Sequence, residues 1–454
     1  MRNEPTLRFL PQSDGKQPLF MWLTIPALKL IEDPLIAGRL VSVMAGLGSL
    51  FAIAVLTFVL TKNLFLASLS ALIYAVTPFS VFFDRLSLVD SLLSFFGLAS
   101  LVFGYLLVTR PRLDLAMLLG FALGGGLLTK TPALIFYLWQ IILALFYFRP
   151  NPKNFKTDGF KLLGGWITAL IISQAMYAVL RLGPNFHLIN FRNQDYVFSV
   201  AEVLRHPLNP LIGNLKTSFN WLVSLFTPSL FLLLPLALLK NKRLTLFLTS
   251  VSLLPLLAQA FVIKAYTSRY ILYAAIPLLI LSAQGLSALS IKIKGKAFYL
   301  LYLLVFSWPF FLSLKYVFTP EKVNMPGDMR YGYLGGWTAG WGQKQVAEYL
   351  IDLAKQGKKI VVVTEGYFGT LPDGLQIYTQ KYPRITVIGS PQPVFSLPES
   401  LLNTSKENEI FLLLNRSRNL LKANELERLT LVASYPKPPR PDGSREFLDF
   451  YSFE

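Results

Sequence analysis

The chain of 454 residues has no cysteine and only two histidines, His187 and His206. Without cysteine there are no disulfides, no thiolate nucleophile and no sulfur-held metal. With two isolated histidines, no His/Asp/Glu group has metal-ligand spacing. Charge is scarce as well, at 15% of residues against about 25% in ordinary soluble domains. The first 35 residues lack the basic start, apolar core and small-residue cleavage site of a signal peptide. Internal repeats and low-complexity tracts are missing too. What is abundant is apolar: 53% of residues are hydrophobic and 14% aromatic, with a mean hydropathy of +0.49. That is the composition of a polytopic α-helical membrane protein. The net charge of +18 would suggest nucleic acid in a soluble protein. In a membrane protein it records basic residues on the cytoplasmic side, and no nucleic-acid partner is expected.

Apolar runs long enough to cross a bilayer as helices predict ten spans, at 36–60, 64–83, 90–108, 113–128, 132–148, 162–180, 221–239, 244–263, 270–290 and 297–318. Residues 19–31 predict a short helix lying in the membrane interface, with Trp22 as anchor. The expected organisation is an exoplasmic segment over 1–35, a transmembrane domain over 36–318 and an extracytoplasmic α/β domain over 319–454. In that last part, Lys359-Ile-Val-Val-Val-Thr364 and Glu409-Ile-Phe-Leu-Leu-Leu414 read as buried strands. Residues 343–356 read as an amphipathic helix ending at Gly357. A turn-rich bend at 435–443 precedes a final strand at 446–453.

Orientation follows from the short connections. Alternate ones carry Lys62, Arg110, Arg112, Arg149, Lys153, Lys156, Lys161, Lys240, Lys242, Arg243, Lys292, Lys294 and Lys296. The intervening ones carry only Arg85, Lys130, Lys264 and Arg269. Thirteen against four places the first set in the cytoplasm. The N-terminal segment, the loop 181–220 and the tail are then outside.

The exoplasmic minority is where chemistry is expected. Asp84, Arg85 and Asp90 sit in the tight connection between two apolar runs, where charges are costly unless paired, hydrated or holding a ligand. Lys130 follows Gly124-Gly-Gly126, whose spacing is not that of a phosphate-cradling P-loop; the glycines suit close helix packing instead. Arg269 and Tyr270 open a span, and Asp14 and Lys16 precede the interfacial helix on the same side. Each cation alone is ordinary. Together their shared task would be to hold an anion at the membrane surface, and a lipid phosphate is the anion found at that depth.

Several motifs occur in a fixed order over about residues 12–290: Lys16-Gln-Pro-Leu19 before an aromatic-rich helix, Gly38-Arg39-Leu40, Arg85-x4-Asp90, Leu128-Thr-Lys130-x-Pro132 and Arg269-Tyr270. In that order they resemble the GT-C fold glycosyltransferases of the protein O-mannosyltransferase and aminoarabinose-transferase type. The resemblance implies a transfer of sugar from a polyprenyl-phosphate carrier to an extracytoplasmic protein, lipid or cell-envelope acceptor, in the plasma membrane. It implies that Lys16, Arg85, Lys130 and Arg269 hold the carrier phosphate with Tyr270 beside them. Asp84 would support the site, and Asp90 would order it directly or through a divalent metal. No nucleotide or redox cofactor is required. Lys264 joins the phosphate set on charge alone. Family members carry a further first span and an acidic loop that supplies the catalytic base, and neither lies ahead of Lys16. The expectation is a chain shortened at its N-terminus, with Asp14 and Asp90 as the remaining candidates for base. The alternatives are a lipid-linked-sugar transporter or flippase, and a non-catalytic polyprenyl-phosphate-binding protein.

Overall fold

Proline, asparagine and aspartate punctuate the apolar runs and set where several helices begin. A computed structural model describes residues 5–150, 152–290, 293, 295–366, 369–390, 394–396 and 408–453. Contacts divide the chain into two units, Met1–Val323 and Asn324–Glu454.

In the first unit, α1 (Leu19–Leu30) is followed by α2 (Pro34–Thr61). Asp33 caps α2 by accepting from the Leu35 and Ile36 amides at 2.8 and 3.3 Å, with Pro34 in the first turn. Asn63 caps α3 (Leu64–Val76) in the same way. Pro78 then breaks the run, because the residue before a proline avoids the helical region. Thr77 is extended, and α4 (Pro78–Asp84) restarts at 61° to α3. Next come α5 (Val89–Thr109), α6 (Leu113–Thr129), α7 (Ile135–Tyr147) and α8 (Phe155–Ala178). After them α9 (Phe186–Tyr196), α10 (Val200–Arg205) and α11 (Leu208–Phe231) fill the long loop and the run beyond it, and α12 (Lys242–Val262), α13 (Leu272–Ser290) and α14 (Lys296–Phe318) close the unit.

Among the described residues, six helical stretches are long and apolar enough to cross a membrane, and the bent α3–α4 pair makes a seventh. The other three expected spans are helical but do not reach that length unbroken. The apolar stretches Leu113–Thr129 and Thr131–Tyr147 are short. The run at 221–239 is interrupted, since Thr227 ahead of Pro228 takes φ 69° and a 3-10 turn covers Pro235–Leu239. The span at the centre is Ser268–Ser290, whose apolar window is buried throughout. Its Gly285 meets the Leu233 carbonyl so closely that a β-carbon would lie 2.0 Å from that oxygen. The glycines of α6 serve the same purpose. A β-carbon on Gly125 would stand 2.3 Å from the Phe96 ring on α5, and one on Gly124 would strike Met176 on α8.

The second unit begins with a turn of helix, α15 (Gly327–Arg330), and then α16 (Gln343–Lys355), β1 (Ile360–Glu365), α17 (Asp373–Thr379), β2 (Ile385–Ser390), β3 (Glu409–Asn415), β4 (Leu429–Pro436) and β5 (Phe447–Phe453). The sheet order is β2-β1-β3-β5-β4, with β1, β2 and β3 parallel and β5 antiparallel to β3 and β4. The central strands β1 and β3 are the continuous apolar runs legible in the sequence. Both unexpected strands, β2 and β4, lie at the edges, where exposed positions dilute the apolar signal. α16 lays Val346, Ala347 and Leu350 on Ile360, Val362, Phe411 and Phe450. β4 runs on to Pro436, so the expected bend starts at Lys437. That lysine is buried, and its Nζ donates to the carbonyls of Gly336, Trp337 and Ala339 at 3.0, 3.3 and 2.7 Å.

Candidate functional site

Asp90 stands in the first turn of α5, where the helix dipole favours an anion, and its side chain is 2% exposed. The turn before it is pinned to α2, because the Ser42 hydroxyl donates to the Leu88 carbonyl and accepts from the Leu88 amide. Lys130 caps the other end of the motif. α6 stops at Thr129, and Lys130 takes an extended conformation before the Thr131–Leu134 turn. Its Nζ donates to Asp90 Oδ1 at 2.7 Å and lies 4.2 Å from the centre of the Tyr270 ring. Tyr270 is held in turn by Gln259, whose side chain donates to its carbonyl at 3.1 Å. Arg269 lies 5.3 Å from the same ring, within electrostatic reach of Asp90 and of the Tyr196 hydroxyl. Asp90, Lys130, Arg269 and Tyr270 are thus one cluster.

The N-terminal segment joins it. Gln17 donates to the Thr131 hydroxyl at 2.8 Å, beside Lys130. Asp14 pairs with Lys16 and lies 4.0 Å from Arg192. Gly15, at φ +65°, is required between them, since a β-carbon would fall 2.2 Å from that of Arg192. Arg192 also pairs with Asp195 at 2.8 Å and lies over the Tyr196 ring at 5.4 Å. A contact path therefore runs from Lys16 through Asp14, Arg192 and Tyr196 to Arg269. Sequence reasoning missed Arg192 and Tyr196. Their signal was a cation and an aromatic one helical turn apart in the loop 181–220, which was set aside because charge was weighed only in short connections.

Three expected residues are engaged elsewhere. Arg85 donates to the Tyr316 carbonyl in the last turn of α14 at 2.6 Å and lies 5.6 Å from the Phe82 ring. Asp84 accepts from the Tyr74 hydroxyl at 2.7 Å and packs against Gly46, which leaves room for it. Lys264 faces Glu202 at 3.9 Å and the Phe198 ring at 5.2 Å, and its amide donates to the Tyr196 carbonyl. These contacts hold α4 to α14, α4 to α2 and α3, and α9 and α10 to the end of α12.

A divalent metal fits this site poorly. Hard cations take six or more oxygens, calcium from carboxylates, carbonyls and waters and magnesium from one or two free carboxylates with waters and substrate phosphates. Among the described residues no three His, Cys, Asp or Glu side chains gather, and Lys130 already occupies Asp90 Oδ1. Asp90 Oδ2 is buried with no hydrogen-bond partner among the described residues, which is one oxygen and not a cage.

Residues 12–189 match the family described as dolichyl-phosphate-mannose-protein mannosyltransferase. That segment holds Asp14, Lys16, Arg85, Asp90 and Lys130, while Arg192 and Arg269 fall beyond it. Among solved structures, ArnT from Cupriavidus metallidurans in the apo state aligns with a TM-score of 0.52 at 13% identity, covering 96% of this chain and 87% of that one. ArnT bound to undecaprenyl phosphate aligns with a TM-score of 0.53 at 14% identity, covering 96% and 88%. No curated protein matches the chain in sequence. Residues 12–189 are therefore similar to that mannosyltransferase family, and the chain shares the fold of ArnT.

Proposed function

We propose that the chain is a plasma-membrane glycosyltransferase that moves a sugar from a polyprenyl-phosphate carrier to an acceptor outside the cytoplasm. In this reading it has ten spans, with α6, α7 and the broken run around α11 completing the seven long ones. The second unit is extracytoplasmic. The observation that carries the proposal is the buried Asp90–Lys130 pair, set against Tyr270 and Arg269. The ammonium of Lys130 has three donors and gives one to Asp90; the guanidinium of Arg269 offers a planar fork. Both suit the phosphate oxygens of a departing carrier. The family match and the fold shared with an undecaprenyl-phosphate-bound protein support the same donor class.

The reaction is a displacement at the anomeric carbon. The acceptor oxygen bonds to that carbon as its bond to the phosphate oxygen breaks, and the phosphate leaves with the electron pair. Lys130 and Arg269 stabilise that charge. The acceptor proton passes to a carboxylate. Asp90 orients Lys130, and Asp14 is the more accessible candidate base. Lys16 and Tyr270 border the phosphate. Arg85 and Lys264 keep the surrounding helix ends in place, and Asp84 supports them from α4.

The test is binding of undecaprenyl phosphate to the purified full chain, repeated with Lys130→Ala and Arg269→Ala. Saturable binding weakened by both substitutions is expected. Absence of binding by the parent chain overturns the reading.

A further inference from the structure

α5, which carries Asp90, also borders a cavity at its other end. α5 starts beside Asp90 and ends at Thr109, a rise of roughly 30 Å at 1.5 Å per residue. At that far end a cavity of about 540 Å³ is bounded by Tyr105 on α5, Tyr147 and Arg149 at the end of α7, Asp158 on α8, and Asn241 and Arg243 at the start of α12.

Its lining is net positive, with two guanidiniums and one carboxylate. Arg243 has its guanidinium on the Tyr147 ring, 4.9 Å from the centre. Tyr147 is fixed by edge contacts to Tyr105 and Phe247, each at 5.0 Å. An arginine stacked in this way keeps its in-plane donors for a second partner. The Asn241 Oδ1 accepts from the Leu244 amide to cap α12, so the donors lining the cavity are Arg243, Arg149, the Asn241 amide nitrogen and the tyrosine hydroxyls. They form a fork of positive charge with neutral hydroxyls around it, the chemistry that takes phosphate oxygens. The cavity lies where spans end, the depth at which a lipid carries its phosphate.

We propose that this cavity binds the phosphate of a phospholipid head group, in the leaflet opposite the Asp90–Lys130 site. Arg243 grips the phosphate on the Tyr147 platform, and Arg149 closes from the rim. Free phosphate shares this chemistry and is the other source the test must separate. The proposal stands apart from the transferase reading, because it uses none of the same residues.

The experiment is calorimetric titration of the full chain carrying Lys130→Ala and Arg269→Ala, which silences the other end. Dihexanoyl-phosphatidylglycerol below its micelle concentration is one probe, and inorganic phosphate at matched ionic strength is the other. Binding of the lipid is expected, weakened at least tenfold by Arg243→Gln and several-fold by Arg149→Gln. Arg243→Lys, which keeps charge and loses the fork, should fall between. If inorganic phosphate binds equally tightly and with the same dependence on Arg243, the site stands and its ligand is a soluble phosphate. Should Arg243→Gln fail to purify as a single species, Tyr147→Leu, which removes the platform, must weaken binding instead. If neither probe binds, or if both bind regardless of Arg243 and Tyr147, the proposal is overturned.

Discussion

Lys130 and Asp90, forty positions apart, meet at 2.7 Å where the end of α6 comes beside the start of α5. α6 stops at Thr129 ahead of the Thr131–Leu134 turn, and α5 starts at Val89 after a turn pinned to Ser42 on α2. Their meeting requires α5 and α6 to pack closely, which Gly125 allows by leaving space for the Phe96 ring. Asp90 is nearly inaccessible, while 22% of the Lys130 side chain remains exposed. One partner is therefore a fixed anchor, and the other can still reach a ligand.

Separating this pair should be costly. Asp90→Asn leaves the ammonium facing a neutral amide, and breaking a buried pair typically costs about 3–5 kcal/mol. The partial exposure of Lys130 puts the expectation at the lower end. Thermal unfolding in detergent measures it. The double variant Asp90→Asn with Lys130→Gln should recover much of the loss in stability, yet bind no carrier.

Carrier binding should depend on the two cations at Tyr270. Removing one charge-assisted hydrogen bond costs about 1.5–3 kcal/mol, or roughly ten- to more than a hundredfold in Kd. Lys130→Ala and Arg269→Ala should each show that loss for undecaprenyl phosphate. Arg85→Ala should lower stability more than affinity, because Arg85 holds the last turn of α14. Parallel affinity and unfolding measurements on the three variants separate the roles.

Sugar transfer by the chain should be slow even where binding is tight. Both candidate bases are held by cations, Asp14 by Lys16 and Arg192 and Asp90 by Lys130. A positioned general base contributes about 10²–10⁴-fold in rate, and these ion pairs must open before either carboxylate takes the acceptor proton. Binding and transfer should be assayed on one preparation. Rapid transfer that Asp14→Asn abolishes would make Asp14 the base.

The second unit should lie outside the cytoplasm. An enzyme reporter active only in the cytoplasm, fused after Glu454, should stay silent. Strong activity would reverse the orientation argued from the basic loops.

The second unit should also become more stable in mild alkali. Burial holds the Lys437 amine down to about 8 from its ordinary 10.5. The folded state therefore binds fewer protons than the unfolded one between those values, and stability rises as pH climbs from about 8 to 10.5. Hydrogen exchange of the β4–β5 amides in the full chain should slow across that window, beyond the intrinsic pH trend. Lys437→Met should abolish the effect.

Much of this architecture is a local matter. The length and polarity of each apolar run establish that the first unit is a bundle of membrane helices. Asp33, Asn63, Pro78 and Asn241 stop and start helices through groups within a few residues of themselves. The continuous apolar runs of β1 and β3 announce central strands, whereas β2 and β4 lie at the edges and carry no such mark. The cations facing one side could likewise be counted from alternate loops. Their partners could not. Lys130 takes Asp90, Arg85 takes a carbonyl on α14, Lys264 takes Glu202 on α10, and Arg192 enters the cluster from a segment that charge counting passed over. Those choices depend on which helix ends arrive at the same place. Close packing at Gly125, Gly285 and the 61° break at Thr77 settles that, between residues too far apart in the chain for any local pattern to record.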